Sequence, residues 1–421
     1  LEPLWINCMS VSVGRRDIIM AAAVLCLSLL ARTALATCGT NTGGSCWWGG
    51  CDASRHAVCE NHACVCPAGL CAQGGRCVST DVPLPTEEQK QIRITNWPMI
   101  TAHDAATGLA NGGTCSPLHE INNYVVTQAR GPLSSQLDCG ARSFDLRPYV
   151  NGDKLVFHHG AVQIDHDFSD AIADVIAWAN AHPGELVLIF TTDCVGKTDA
   201  DRTACPQRVK DGYAAAGVKY YMKDSDLDCN ALYTMTLGEA TATGLLPGGG
   251  SVLAVYNCVA GHYDDTIKCY SVAGSGVELA AATAEPPNAS GSALAFDSPT
   301  PLEAYFSCYG ISAGRAFDSL WKYMAKVTSY SHSMLSMCQA HWQYDAESVI
   351  AGTAHGSCIL QDELRSGVNG KVAEKIAAGE FQHINMLELD NVCDGGLDVL
   401  RALRSRPPGA LAARALPAAV A

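Results

Sequence analysis

Between Trp97 and Gly160 lie three segments of one form. They are Ile100-Thr-Ala-His103-Asp104, Gln136-Leu-Asp-Cys-Gly140-Ala-Arg-Ser-Phe-Asp145-Leu-Arg147-Pro148 and Leu155-Val-Phe-His158-His159-Gly160. In each, a short apolar run ends in ionisable residues. Such a run reads as a buried strand. Polar groups at its C-terminal end read as a site at the mouth of a parallel barrel or sheet. Successive strands would then deliver His103, Asp104, Asp145, Arg147 and His159 to one rim. Imidazoles suit general-base and general-acid work near neutral pH, and a guanidinium suits a phosphate.

The alternation continues downstream. Ser169-Asp170 reads as the cap of a helix with Ala171, Ile172, Val175, Ile176 and Ala179 on one face. Pro183-Gly184 reads as its stop. Glu185–Phe190 reads as a fourth strand, with further strands at 218–222, 251–256, 334–340 and 383–389. Strands alternating with helical stretches predict an α/β fold, a (β/α)8 TIM barrel, over residues 91–400. The stretch 273–301, rich in Ala, Ser, Gly and Pro, reads as a surface insertion. It holds the sequon Asn288-Ala-Ser290.

Upstream the composition changes. Cys38, Cys46, Cys51, Cys59, Cys64, Cys66, Cys71 and Cys77 crowd a stretch with few aliphatic residues. Such a segment cannot bury a core and needs covalent staples. Residues 37–78 therefore read as a disulfide-rich module, loosely EGF-like in spacing. A zinc module is the rival, but paired C-x-x-C knuckles are absent. Trp47-Trp48 reads as its apolar plug or as a ligand platform. A stiff, proline-containing linker, 79–90, leads to Thr86-Glu87-Glu88, which looks like a helix start. Before the module, Arg15-Arg16, the apolar run Ile18–Leu30 and Ala34-Leu35-Ala36 have the form of a secretory signal peptide, residues 1–36. The sequence opens at Leu1, and Met9 offers a start. An oxidising, extracellular destination agrees with the 21 cysteines. Residues 401–421, Ala- and Pro-rich, read as a low-complexity tail.

The 421 residues are 48% hydrophobic and 17% charged, a composition that folds. The net charge is −14. Both termini are net positive, through Arg15, Arg16 and Arg32 at one end and Arg401, Arg404, Arg406 and Arg414 at the other. The body between them is therefore more acidic still. It would repel nucleic-acid phosphates, and lipid contact would be local and peripheral at most. A monomer is expected.

The ordered set His103-Asp104, Asp145-x-Arg147 and His159-Gly160 resembles the X-domain of phosphatidylinositol-specific phospholipases C, and the bacterial form most closely. The resemblance spans roughly residues 91–400 and implies a distorted, imperfectly closed barrel. It implies cleavage of a phosphodiester by the inositol 2-hydroxyl, which gives a cyclic phosphate first. By position, His103 is then the base and His159 the acid. His158 competes for the register, but the residue before Gly160 matches the family's His-Gly. The resemblance pairs Asp104 with His159. Neighbours on a strand point to opposite faces, so Asp104 should not serve His103. The partner of His103 would come from the last strand, where Asp390 matches the family's terminal aspartate and Glu388, of the same parity, is the rival.

Arg147 bears on metal. Relatives that hold calcium have an Asn after the first His and carboxylates on the second strand; here Asp104 and Arg147 stand in those places. A guanidinium repels a cation but can neutralise a phosphorane through fork-shaped hydrogen bonds. No metal and no cofactor are therefore expected. The rival reading is a structural Asp145–Arg147 ion pair. Asp145 is expected to position Arg147 and to help bind the 2-hydroxyl. Trp342 is expected to stack on a sugar ring or to sit in the core, and His341 to contact a head group. One departure from the family stands out: the fourth strand ends Phe190-Thr191-Thr192-Asp193 without the bacterial lysine. The expectation is a secreted, metal-independent phosphodiesterase acting on phosphatidylinositol or a glycosyl-phosphatidylinositol (GPI) anchor. The alternative is a catalytically weak barrel that binds inositol phosphates or glycans. A magnesium-dependent glycerophosphodiesterase lacks its Glu-x-Asp pair.

Overall fold

The computed structural model describes residues 40–46, 51, 57–66, 70–73, 76–79, 82–110, 126–223, 225–256, 258–260, 313–341 and 359–406. The expected signal peptide, Trp47-Trp48, the 273–301 insertion with Asn288, Trp342 and the tail beyond 406 lie outside the described residues. The cysteine-rich segment forms β1 (Asn41–Ser45), β2 (Val58–Glu60) and β3 (Ala63–Val65) in one antiparallel sheet, ordered β1-β3-β2. A hairpin of β4 (Leu70–Gln73) and β5 (Arg76–Ser79) follows. Cys46–Cys59, Cys51–Cys64 and Cys66–Cys77 are disulfides. These cysteines are therefore not zinc ligands. Short loops of this kind contribute about 2–4 kcal/mol per bridge, in place of a core.

The large domain is built on β6 (Met99–Ala102), β7 (Ser143–Leu146), β8 (Pro148–Asn151), β9 (Lys154–His159), β10 (Val162–Ile164), β11 (Leu186–Thr191), β12 (Val195–Gly196), β13 (Lys219–Met222), β14 (Ser251–Tyr256), β15 (Val259–Ala260), β16 (Leu335–Gln339) and β17 (Met386–Leu389). Eight of these make one parallel sheet, ordered β13-β14-β11-β7-β6-β17-β16-β15. Its helices are α1 (Leu133–Asp138), α2 (Phe168–Ala181), α3 (Asp199–Ala215), α4 (Cys229–Thr234), α5 (Leu237–Thr243), α6 (Ala313–Val327), α7 (Ile359–Ser366), α8 (Val368–Ala377) and α9 (Gly396–Arg404).

Two corrections concern order. The expected third barrel strand, β9, is outside this sheet. It belongs to a smaller sheet ordered β10-β9-β8-β12 and runs antiparallel to β8 and β10. Pro148 follows Arg147 and has no N–H for the parallel ladder, so the chain leaves β7 there and turns at Gly152, with φ +61, into a hairpin. β7 then pairs directly with β11. Second, β13 lies outside β14 rather than between β11 and β14. The sheet is strongly curled. β14 ends at Tyr256, and β15, starting at Val259, already pairs with β16 at the far edge. Three residues of chain reach about 10 Å at most. β14, next to one edge, and β15, at the other, are thus drawn together at the rim, although β14 and β16 share no ladder among the described residues.

The strands are apolar on both faces, as parallel strands must be. Ile100, Phe144, Val187, Ile189, Val252, Leu387 and Leu389 pack with helix residues such as Ile172, Val209, Val372 and Leu400. Met99, Leu186, Leu188, Phe190, Leu253, Leu335, Met337 and Met386 fill the enclosed face. Helix α2 starts one residue before the expected Ser169-Asp170 cap, with Asp167 in the N-cap position. Thr86 does start a turn: its hydroxyl accepts from the Gln89 amide and its amide donates to Gln89 Oε1, over a short 3-10 turn.

The tail boundary at 400 is also corrected. Helix α9 runs through it to Arg404, and Arg404 and Arg406 are buried. Arg404 and Arg142 clasp Glu185, with Arg404 NH2 at 2.8 Å and Arg142 Nε at 3.0 Å from Oε2. Arg404 also donates to Pro83 O. This network locks the linker, α9 and the starts of β7 and β11 at the end of the sheet opposite the rim.

Candidate active site

The inward register of the strands builds the rim. Met99, Met337 and Met386 face the enclosed core. Counting by twos from them, with period-2 alternation, gives His103, His341, Glu388 and Asp390; Asp145 and Arg147 continue the same parity on β7. An apolar interior thus turns into a cluster of ionisable groups over one or two residues per strand.

Backbone conformation marks the same rim. Asp104, Asp193 and Asn391, each just past a strand end, have φ of +43, +44 and +44. Asp and Asn are the non-glycine residues that best tolerate this region. The left-handed turn at Asp104 overturns the expectation that it could not serve His103. β6 has ended at Ala102, and the positive φ of Asp104 breaks the alternation at that residue. The Asp104 carboxylate instead becomes the hub. Its Oδ2 lies 3.2 Å from His103 Nε2 and 3.1 Å from His159 Nε2. Its Oδ1 lies 2.7 Å from Arg147 Nε. Arg147 NH2 donates to Asp145 Oδ2 at 3.0 Å, an oxygen that also accepts from the Asp104 amide at 3.3 Å.

His103 Nδ1 meets Asp390 Oδ1 at 2.7 Å. Glu388, the rival, meets His341 Nε2 at 3.1 Å instead. His158 is turned away from the hub: its nitrogens lie 3.0 Å from Gly160 O and 2.7 Å from Asp193 O, tying the β9–β10 turn to the segment after β11. His159 therefore holds the register position facing Asp104. His341 departs from its expected head-group contact. Its side chain is 0% exposed and stacks on His103, with centroids 4.2 Å apart and planes 18° from parallel.

Most of the cluster is buried; His159 and Arg147 keep 21% and 15% of their side chains exposed and face outward. Burial opposes the charge of His103, but Asp104, Asp390 and Glu388 outweigh it and raise its pKa to about 10. Burial also opposes the charge of Asp104, yet Arg147, His159, His103 and His341 hold its carboxyl down to about 2. Asp145 is pushed up to about 6 by burial, with Arg147 pulling the other way. His103 Nε2 faces Arg147 NH2 at 3.3 Å as well as Asp104. An N–H donor at that nitrogen favours the neutral ring, whereas the carboxylates favour the charged one. The carboxylates are closer to the ring's two nitrogens and prevail.

Two positions escaped the sequence reading. Gln128, fully buried, donates from Nε2 to the carbonyls of His103 and Leu389 and accepts from the Val392 amide through Oε1. It joins the ends of β6 and β17, so it fixes the His103–Asp390 pair. Thr127 donates to His103 O at 2.7 Å. Both lie in an irregular segment without periodicity, so nothing in their spacing pointed to them. Two groups on this rim have donor atoms close enough to share a cation, His103–Asp104–Asp145 and His103–His341–Asp390; Arg147 is ion-paired with both carboxylates of the first.

Neither a family model nor a curated protein matches the chain. Among solved structures, it is similar to a phosphatidylinositol-specific phospholipase C of Staphylococcus aureus, at 13% identity and a TM-score of 0.45, over 74% of this chain and 95% of that one. It is similar to that of Listeria monocytogenes at 10% identity and 0.43, over 77% and 96%. A calcium-dependent phosphatidylinositol-specific phospholipase C from Streptomyces antibioticus aligns at 13% identity and a TM-score of 0.25, over 74% and 98%. Likeness at this level fixes no activity.

Proposed function

We propose that this chain is a secreted, metal-independent phosphodiesterase that cleaves phosphatidylinositol, or a GPI anchor, through an inositol cyclic phosphate, on a distorted TIM barrel. The convergence of His103, His159 and Arg147 on the Asp104 carboxylate supports this reading above all. A phosphodiester seated on Arg147 would lie between the two imidazoles. The inositol 2-hydroxyl gives its proton to His103 Nε2 as its oxygen attacks phosphorus. The bond to the glycerol oxygen breaks, and that oxygen takes a proton from His159. The products are a cyclic phosphate and diacylglycerol, and the two imidazoles have exchanged roles. Asp390 fixes the His103 tautomer and stabilises its cation, as a carboxylate does for a catalytic histidine. Arg147 stabilises the phosphorane, charge that develops only in the transition state. The test is incubation with labelled phosphatidylinositol in EDTA, beside the His103→Ala variant. Release of a water-soluble label by wild type alone is expected. No release, or release that needs added calcium, would contradict the proposal.

One observation favours a second reading, a barrel that binds inositol phosphates without turnover. Charged His103 and Arg147 offer two donors to an anion, and a protonated base does not turn over. Tight binding of an inositol phosphate with no label released would select that reading.

A further inference from the structure

Behind His103 sits a second histidine–carboxylate pair that the reaction above does not use. The ring of His341 lies flat against that of His103, and its Nε2 is 3.1 Å from Glu388 Oε2. Its Nδ1 is 3.6 Å from Asp390 Oδ2, so His341 also reaches the carboxylate that serves His103. Both side chains are 0% exposed. Gln339 Nε2 donates to the same Glu388 oxygen at 3.2 Å, closing the group from below. No substrate can touch these atoms. A buried carboxylate among apolar strands is costly unless its charge is used.

We propose that Glu388 and His341 are positioning residues: Glu388 holds the His341 ring as the floor on which His103 rests and adds a second buried negative charge behind it. This rests on the assignment of His103 as the base. The groups facing His103 come from every packed element. They are Asp104 beyond β6, Asp145 on β7 and Arg147 just past it, His159 from β9, His341 beyond β16, and Glu388 and Asp390 from β17 and its end. Of the carboxylates that raise its proton affinity, Glu388 makes no direct hydrogen bond to it. Removing that charge therefore tests a through-space role without cutting the His103–Asp390 bond.

The experiment follows the imidazole nitrogens of His103 by nitrogen-15 NMR across pH, in the ligand-free protein. Wild type, Glu388→Gln and His341→Phe are compared. Glu388→Gln keeps the shape and an acceptor for His341, and its His103 titration should fall by about one unit or more. His341→Phe keeps the stacked floor and leaves Glu388 its Gln339 donor, so the His103 titration should hold or rise. Opposite directions support the proposal; a common fall, or no movement in Glu388→Gln, overturns it. Should Glu388→Gln fail to fold, His341→Phe decides alone: a fall there overturns the proposal, and an unchanged or higher value sustains it. The readout needs no substrate. Movement as described in a protein that cleaves no phosphodiester would sink the enzymatic reading and leave only the through-space action of Glu388 on the His103 ring.

Discussion

His103 and His159 face one carboxylate, and each performs half of the proton transfer in the proposed reaction. His103→Ala and His159→Ala should each lower kcat roughly 10²–10⁴-fold. The double variant should cost little more than the worse single one, because the two residues act as a unit. His158→Ala should lower thermal stability and leave kcat within a few-fold, since both its nitrogens are engaged with backbone carbonyls. An essential His158 beside a dispensable His159 would reverse that assignment. Arg147→Lys should also fail, because a point charge cannot span Asp104, Asp145 and a phosphorane at once. The pH profile has a definite sign. The base must be neutral, and its carboxylates keep it protonated up to about 10 in the free protein. The kcat/KM profile reports the free enzyme, so it should still climb above neutral pH. A plateau reached by about pH 7 would contradict the charge assignment. At this scale, the types of residue on the rim were legible in the sequence, and their contacts less so. The choice of Asp390 for His103 followed from parity and resemblance, whereas the pairing of Glu388 with His341 was not foreseen. The Asp104–His103 contact did not, because one left-handed residue cancels the alternation on which parity arguments depend.

Among the elements, the Glu185 clasp offers a sharp test of stability without chemistry. It lies at the end of the sheet opposite the rim and holds Arg142 and Arg404. Burial opposes its charge, but Arg142 and Arg404 keep its pKa below the usual glutamate range. Its stabilisation is therefore present above the ordinary glutamate range and is lost as pH falls through the lowered value. Glu185→Gln should cost about 3–5 kcal/mol, because two buried guanidinium groups lose their shared partner. Thermal unfolding should show this, with kcat unchanged at a temperature where the variant stays folded. An unchanged midpoint would mean that the clasp adds nothing. Strands β6, β7, β11, β14, β16 and β17 were readable as apolar runs because parallel strands are buried on both faces. β9 has the same look and was misplaced. The clue was local: Asn151-Gly152 between two apolar runs is a hairpin signal, and Pro148 bars continuation of β7. The outward position of β13 had no local clue, since strand order is decided by long-range packing.

For the whole molecule, the cysteines were a reliable guide to stapling. Beyond the small module, Cys139–Cys393, Cys194–Cys205 and Cys229–Cys258 tie the loops of the large domain. Cys393 lies three residues past Asp390, so that bridge also steadies the rim. The pairings were not legible, because spacing alone does not choose among them. For the proposed action on an anionic lipid, an acidic chain of net −14 must rely on a local cation, and Arg147 lies at the hub. Everything proposed for this rim comes down to an internal attack at phosphorus, in which a neighbouring hydroxyl outcompetes water by its effective concentration. Phosphorus-31 NMR of phosphatidylinositol turnover in EDTA observes that step directly. The account predicts that the resonance of an inositol cyclic phosphate appears first and that any acyclic monoester follows it. Appearance of the monoester without the cyclic species, or turnover of a substrate whose 2-hydroxyl is blocked, would contradict it.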